Sequence, residues 1–190
     1  MSANTRLYVK KLTLSAMFLA LGLVLPLLTG QLHSLGNMLL PMHLPVLLCG
    51  LLCGWPYGAF CGLAGPVVSF LLSGMPGVPQ LVHMVPELMT YGLVTGVLYA
   101  RLRTGRLYAD LYLSLLPAMV LGRVVGGVCQ ALFYLSSARE YSLALWAGSY
   151  LVGTAPGALM QLIVLPILVV VLTRARLIPI RYPNPQAKAA

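Results

Sequence analysis

Long apolar stretches, separated by short polar or Pro- and Gly-rich segments, run through the whole chain. They predict six transmembrane helices, with expected bounds of 12–28, 44–54, 59–72, 80–100, 111–135 and 145–172. A full crossing of the hydrocarbon core takes about 20 residues, so the second stretch is short. It either extends upstream into Leu39 and Leu40 or is a partial helix that its neighbours shield from lipid. A turn at Trp55–Gly58 is expected to separate it from the third helix.

The composition excludes a soluble domain. Of the 190 residues, 59% are hydrophobic and 8% are charged, whereas about a quarter of the residues in soluble domains are charged. A soluble chain of this length has too little interior to hide so much apolar surface. The first stretch follows Lys10 and Lys11 as in a signal peptide, but no small-residue cleavage site comes after it, so we expect a retained first helix. We therefore predict an all-α integral membrane protein, with one membrane domain over residues 1–190.

The basic residues indicate how the chain is oriented. The net charge is +9, and all of the twelve Lys and Arg residues except Arg123 and Arg139 lie near the N-terminus, in the loop after the fourth span, or in the C-terminal tail. With six spans these three regions fall on one side, as the positive-inside rule requires. We expect both termini in the cytoplasm. Because each basic group flanks an apolar run, we do not expect a nucleic-acid partner.

Glycines recur four residues apart within the apolar stretches. Small residues at this spacing let helix backbones approach closely in lipid, so the pairs predict a tightly packed bundle. The pairs are Gly50/Gly54, Gly54/Gly58, Gly58/Gly62, Gly92/Gly96, Gly122/Gly126 and Gly153/Gly157.

Two charged residues lie inside the predicted spans, Glu87 in the fourth and Arg123 in the fifth. An Arg at a helix centre costs roughly 2.5–3.5 kcal/mol on insertion scales, and such residues are usually functional. Two interpretations are open at this point. Arg123 and Glu87 form a buried ion pair that locks two helices, or Arg123 meets an anionic group of a substrate. Both roles are compatible.

Polar residues form a stripe on each of three predicted helices. Residues spaced by three or four share one helix face, and three such faces on neighbouring helices predict one polar cavity that opens outward. Trp146 and Tyr150 also suit an interfacial aromatic belt. The stripes are Gln80, His83, Glu87, Tyr91 and Thr95 on the fourth helix, Arg123, Gln130 and Tyr134 on the fifth, and Trp146, Tyr150, Thr154 and Gln161 on the sixth.

Arrangements that support catalysis are missing from the sequence. The other two carboxylates, Asp110 and Glu140, are expected in loops, and neither a P-loop nor a nucleophile elbow occurs. The three histidines are scattered, and the four cysteines fit best as small packing residues, although Cys49 and Cys53 share one helix face. We expect no catalytic residue, no metal and no cofactor. Without a nucleotide site, the chain does not energise transport with ATP by itself.

The chain resembles the S components of energy-coupling factor (ECF) transporters, small six-helix membrane proteins that capture vitamins. The resemblance covers nearly the whole chain in size and topology. The segments that carry it are Leu40–Gly50 (LPMHLPVLLCG), Gly54–Gly58 (GWPYG), Ser73–Pro76 (SGMP), Glu87–Gly92 (ELMTYG) and Ala16–Ala20 (AMFLA).

The resemblance implies a mechanism. An S component binds its substrate from outside, docks on a transmembrane coupling subunit with two ATPases, and releases the substrate inside. An A-x-x-x-A motif on the first helix, here Ala16 and Ala20, is implied as the docking strip. Arg123 favours a carboxylate-bearing substrate such as pantothenate, and the implied location is the plasma membrane of a bacterium, with membrane lipid around the bundle. The implied substrate-binding residues are Asn37, His43, Gln80, His83, Glu87, Tyr91, Arg123, Gln130, Tyr134 and Tyr150.

Two other classes of function remain as alternatives. One is a small membrane-embedded enzyme or assembly factor that acts on a lipid or quinone. The other is a stand-alone secondary transporter. The absence of a reactive cluster weighs against an enzyme. Co-purification with ATPase and coupling subunits distinguishes an S component from both alternatives.

Overall fold

A computed structural model describes residues 3–29, 41–136, 148 and 155–175 of the chain. In these ranges it contains helices and no strand, which confirms the predicted all-α class. The six α-helices in these ranges are α1 (Ala3–Thr29), α2 (His43–Cys53), α3 (Trp55–Ser73), α4 (Val78–Arg101), α5 (Leu107–Ser136) and α6 (Ala155–Arg174).

Five of these helices are long and apolar enough to cross a membrane, and α2 is the exception. It has 11 residues, and at a rise of about 1.5 Å per residue it is about 16 Å long. The hydrocarbon core is about 30 Å thick, so α2 by itself covers about half of it. Of the two alternatives for the second span, the described bounds match the partial helix.

Several helices extend beyond the bounds predicted from the sequence: α1 begins at Ala3 rather than at residue 12, and α5 begins at Leu107 rather than at residue 111. The turn predicted at Trp55–Gly58 is wrong, because these residues form the first turn of α3. Pro56 lies at the second helical position, where its missing N–H group would have no intrahelical partner in any case. The chain reverses instead at Gly54, whose φ of 102° suits a residue without a side chain. The predicted start of the sixth span, at residue 145, lies outside the described residues.

Helices α2, α3 and α4 touch through their backbones at a group of glycines. A Cβ atom on Gly50 would lie 2.6 Å from the Gly92 carbonyl oxygen, and one on Gly58 would lie 2.6 Å from the Gly50 Cα. A Cβ on Gly62 would overlap the backbone of Leu88. Only glycine allows this approach, so the close packing predicted from the paired glycines is confirmed here.

The register of these contacts places the basic start of α1 and the basic loop after α4 on one side of the bundle. The Cys61 thiol donates a hydrogen bond to the Ser15 carbonyl oxygen at 3.5 Å, so residues 15 and 61 are level. Gly96 is level with Trp55. A Cβ atom on Gly65 would lie 4.0 Å from the Leu19 side chain, so α1 runs parallel to α3. The start of α1, with Lys10 and Lys11, therefore lies at the same end of the bundle as the loop after α4. This arrangement agrees with the charge pattern that predicted the orientation.

The glycine contact gives a test of the packing. Gly62→Ala is expected to lower the free energy of unfolding by about 1–3 kcal/mol, because the added methyl group meets the Leu88 backbone and has nowhere to move. Gly65→Ala, on the same helix, is the matched control, since its Cβ would lie 3.8 Å from the nearest atom, the Met42 sulfur. Thermal unfolding in detergent measures both variants. Equal melting temperatures would contradict the backbone contact.

Candidate functional site

The carboxylate of Glu87 lies in the core of the bundle, on α4, and the residue is only 3% exposed. The Tyr91 hydroxyl, one turn along the same helix, donates a hydrogen bond to Glu87 Oε1 at 2.9 Å. Tyr91 is itself fully buried. The four-residue spacing that predicted a shared face therefore brings these two side chains into direct contact.

Three further groups, each a cation or an imidazole, surround the same carboxylate. Arg123 Nε, from α5, is 3.5 Å from Glu87 Oε1. His43 Nε2, from α2, is 3.6 Å from that oxygen, and His83 Nδ1 is 3.9 Å from Oε2. Side chains from three helices thus converge on one carboxylate. We call this group of residues the Glu87 cluster: His43, His83, Glu87, Tyr91 and Arg123.

The cluster explains how the membrane interior tolerates a charged pair. An isolated carboxylate or guanidinium buried in apolar surroundings is very costly, and a partner is needed to offset the lost hydration. Arg123 supplies the opposite charge to Glu87, and Tyr91 supplies a hydrogen bond to the ionised form. The predicted Glu87–Arg123 ion pair is therefore confirmed, and it joins α4 to α5.

Glycines on α5 make room for the buried side chains of α4. A Cβ atom on Gly122 would overlap the Tyr91 ring, and one on Gly126 would lie 2.9 Å from Glu87 Oε2. The sequence pattern predicted this glycine pair as general bundle packing. Its position against Glu87 and Tyr91 makes it part of the site, which spacing alone does not indicate.

His43 occupies an unusual place at the beginning of the short helix α2. It was expected in the loop before the second span, but it is the first residue of α2 and is 3% exposed. The first helical turn carries a partial positive charge, which here lies beside the Glu87 carboxylate. The His43 ring is tilted against that of Tyr91 at 5.4 Å between centroids. Neither ring nitrogen has a hydrogen-bond partner among the described residues.

The other predicted substrate-binding residues are spread more widely. Gln80 is exposed in the first turn of α4, while Gln130 and Tyr134 are half-buried on α5. Asn37 and Tyr150 lie outside the described residues. The structure therefore brings together five of the predicted residues, those of the Glu87 cluster.

Two buried polar groups further along the predicted stripes also have unsatisfied atoms. Thr95 Oγ1, on α4, and Gln161 Nε2, on α6, have no hydrogen-bond partner in the described part of the chain. In the same residues, no group of three His, Cys, Asp or Glu side chains is arranged to hold a metal ion. The cysteines Cys49, Cys53 and Cys61 are buried with free thiols.

Comparison with known proteins identifies the family. A family model described as "ECF transporter, substrate-specific component" matches residues 10–172, most of the chain. The chain belongs to this family, whose members are substrate-binding subunits of transporters and not enzymes. The alternative of a membrane-embedded enzyme is therefore wrong. No curated protein and no solved structure matches the chain.

The hydrogen bond to Glu87 gives a test of the cluster. Tyr91→Phe is expected to destabilise the protein by about 1.5–3 kcal/mol, the usual worth of a hydrogen bond to a charged group. Tyr57→Phe serves as a control, because Tyr57 also packs against the core and its hydroxyl has no hydrogen bond to any described residue. Thermal unfolding of both variants in detergent provides the measurement. A melting temperature for Tyr91→Phe no lower than that of the control would contradict the bond.

Proposed function

We propose that this substrate-specific component captures a small, water-soluble molecule with a carboxylate group, a vitamin or vitamin precursor such as pantothenate. The observation that carries the proposal is the guanidinium of Arg123, held inside the bundle at the Glu87 cluster and 12% exposed in its side chain. A guanidinium in a membrane interior is retained when it has a function that offsets its cost.

The chemistry of the guanidinium allows Arg123 to serve two anions. It carries five N–H donors in a planar fork, and Nε provides one of them. The contact with Glu87 is made through Nε. A substrate carboxylate would pair with the same guanidinium, and an arginine–carboxylate pair is a strong and directional interaction. In this proposal Glu87 is a positioning residue that orients Arg123, and His83, Gln130 and Tyr134 line the path from outside.

The proposed direction of transport follows from the charges. The basic start of α1 and the basic loop after α4 lie at one end of the bundle, and the positive-inside rule assigns that end to the cytoplasm. The protein would lie in the plasma membrane of a bacterium, and the substrate would enter from the opposite, outer end of the bundle. Release would follow docking on the coupling subunit and its two ATPases.

The proposed docking strip has the accessibility that docking needs. Ala16 and Ala20 are exposed on α1, whereas Ser15 and Phe18 are buried against the rest of the bundle. Two alanines one turn apart leave a flat surface on which another helix can pack closely. Of the five long helices, α1 is the least buried, so the strip is open to a partner.

A bulky side chain tests the docking strip. Ala16→Trp and Ala20→Trp are expected to leave substrate binding unchanged and to reduce uptake to the background level, because an indole ring holds the coupling subunit away. Leu21→Trp is the control, since Leu21 is exposed but lies roughly 120° around the helix from the strip. Uptake is measured in cells that express the coupling subunit and ATPases. Wild-type uptake by both alanine variants would refute the docking role.

Variants of Arg123 test whether its guanidinium binds the substrate carboxylate. Arg123→Met is expected to weaken pantothenate binding by roughly 2–5 kcal/mol, because the substrate charge would be buried without a partner. Arg123→Lys is expected to recover part of the affinity, since it keeps the charge but not the fork. The control variant Arg103→Met, which removes a guanidinium outside the cluster, is expected to bind as the wild type does.

The double variant Arg123→Met/Glu87→Met separates the two roles of Arg123. It removes both buried charges together, which proteins often tolerate, so folding is expected to recover while binding stays weak. Calorimetric titration with pantothenate gives the affinities, and mass spectrometry of the purified protein identifies any other molecule that co-purifies. Near wild-type affinity in the double variant would leave Arg123 with a structural role alone.

A further inference from the structure

Three arginines lie close together at the connection between α4 and α5. Arg101 ends α4, Arg103 lies in the connection, and Arg106 precedes α5. All three residues are exposed. Their guanidinium groups make no ion pair or hydrogen bond with any other residue that the structure describes. They give this short connection, which we call the arginine loop (residues 101–106), three exposed positive charges.

The backbone of the arginine loop is held in place by a buried acid. Asp110, expected in a loop, lies in the first turn of α5 and is fully buried. Its Oδ1 accepts hydrogen bonds from the Thr104 backbone N–H at 2.9 Å and from the Thr104 hydroxyl at 2.8 Å. Gly105 has a φ of 84°, which permits the tight turn between them. The arginines therefore project from an ordered loop.

Aromatic residues mark the level of the membrane surface around this loop. Tyr108 and Tyr112 are exposed in the first two turns of α5. Trp55 is also exposed, and it is level with Gly96, about one turn before Arg101. Exposed Tyr and Trp side chains on membrane proteins concentrate at the headgroup region. The arginine loop therefore lies where lipid phosphates lie.

We propose that the arginine loop is a binding site for the phosphate group of an anionic phospholipid. A guanidinium fork matches the geometry of a phosphate and binds it bidentately. A lipid with a net negative headgroup adds long-range attraction, worth about a factor of five per basic residue near the surface. The position of the loop among interfacial aromatic residues favours a lipid over a soluble phosphate. An ordered loop binds better than three independent charges, because the arginines lose less freedom.

Lipid binding by two charge-matched variants tests the site. The purified, delipidated protein is titrated with dioleoylphosphatidylglycerol, and native mass spectrometry measures the bound lipid. Arg101→Gln/Arg103→Gln/Arg106→Gln is expected to lose at least about tenfold in affinity. Arg6→Gln/Lys10→Gln/Lys11→Gln removes the same charge from exposed positions of α1 at the same end of the bundle, and is expected to lose less affinity than the arginine-loop variant, because these side chains do not project from one short, ordered loop.

The variant Thr104→Val tests whether the hydrogen bonds that hold the arginine loop in place contribute to lipid binding. Thr104→Val keeps every charge but removes the hydroxyl bond to Asp110, so it is expected to lose about threefold or more in affinity for the same lipid. The single variant Arg103→Gln is expected to lose less affinity for the lipid than the triple arginine variant. Equal losses in the two triple variants, no effect of Thr104→Val, or equal wild-type affinity for dioleoylphosphatidylcholine would each overturn the proposal. Because none of these measurements uses a transport substrate, the result does not depend on the proposed function.

Discussion

The close contacts that glycines allow between α4 and its neighbours determine the rest of the architecture. On one side, Gly92 meets Gly58 of α3, and the Leu88 backbone meets Gly62. On the other side, α5 presents a glycine to Tyr91 and another to Glu87. In lipid, where apolar side chains gain little by leaving the solvent, such contacts supply the van der Waals attraction that holds helices together. Helix α4 is therefore fixed in rotation and height, and the position of the Glu87 carboxylate is fixed with it.

That fixed carboxylate organises the polar interior. Because Glu87 lies between α2 and α5, the cation from α5 and the first turn of α2 both face it, and each offsets part of the cost of its burial. The short length of α2 is part of this arrangement, since a helix that crossed the whole membrane would not begin beside the carboxylate. The partial helix and the buried charge therefore depend on each other.

Much of this arrangement could be predicted from the sequence, where the physical rule is local. The bilayer requires apolar helices, so all six elements were evident as apolar stretches of the sequence, and helical spacing placed His83, Glu87 and Tyr91 on one face. The Glu87–Arg123 pair was one of two predicted alternatives. Tertiary contacts decided what the sequence could not: that His43 starts a helix inside the bundle, and that Gly122 and Gly126 accommodate the site. Asp110 was predicted to lie in a loop, but it lies in the first turn of α5. An acidic residue there interacts favourably with the partial positive charge of the helix N-terminus.

A site for an anion inside a membrane must also be stable when no substrate is present. An unpaired guanidinium would face the full penalty of burial in that state, whereas the Glu87 cluster keeps Arg123 paired. The pair sums to no net charge, and the first turn of α2 adds a partial positive charge beside it. The remaining potential thus favours an anion over a cation. In the proposed function, Glu87 is the internal counter-ion that makes the empty site tolerable, and it directs the fork of Arg123 towards an incoming carboxylate.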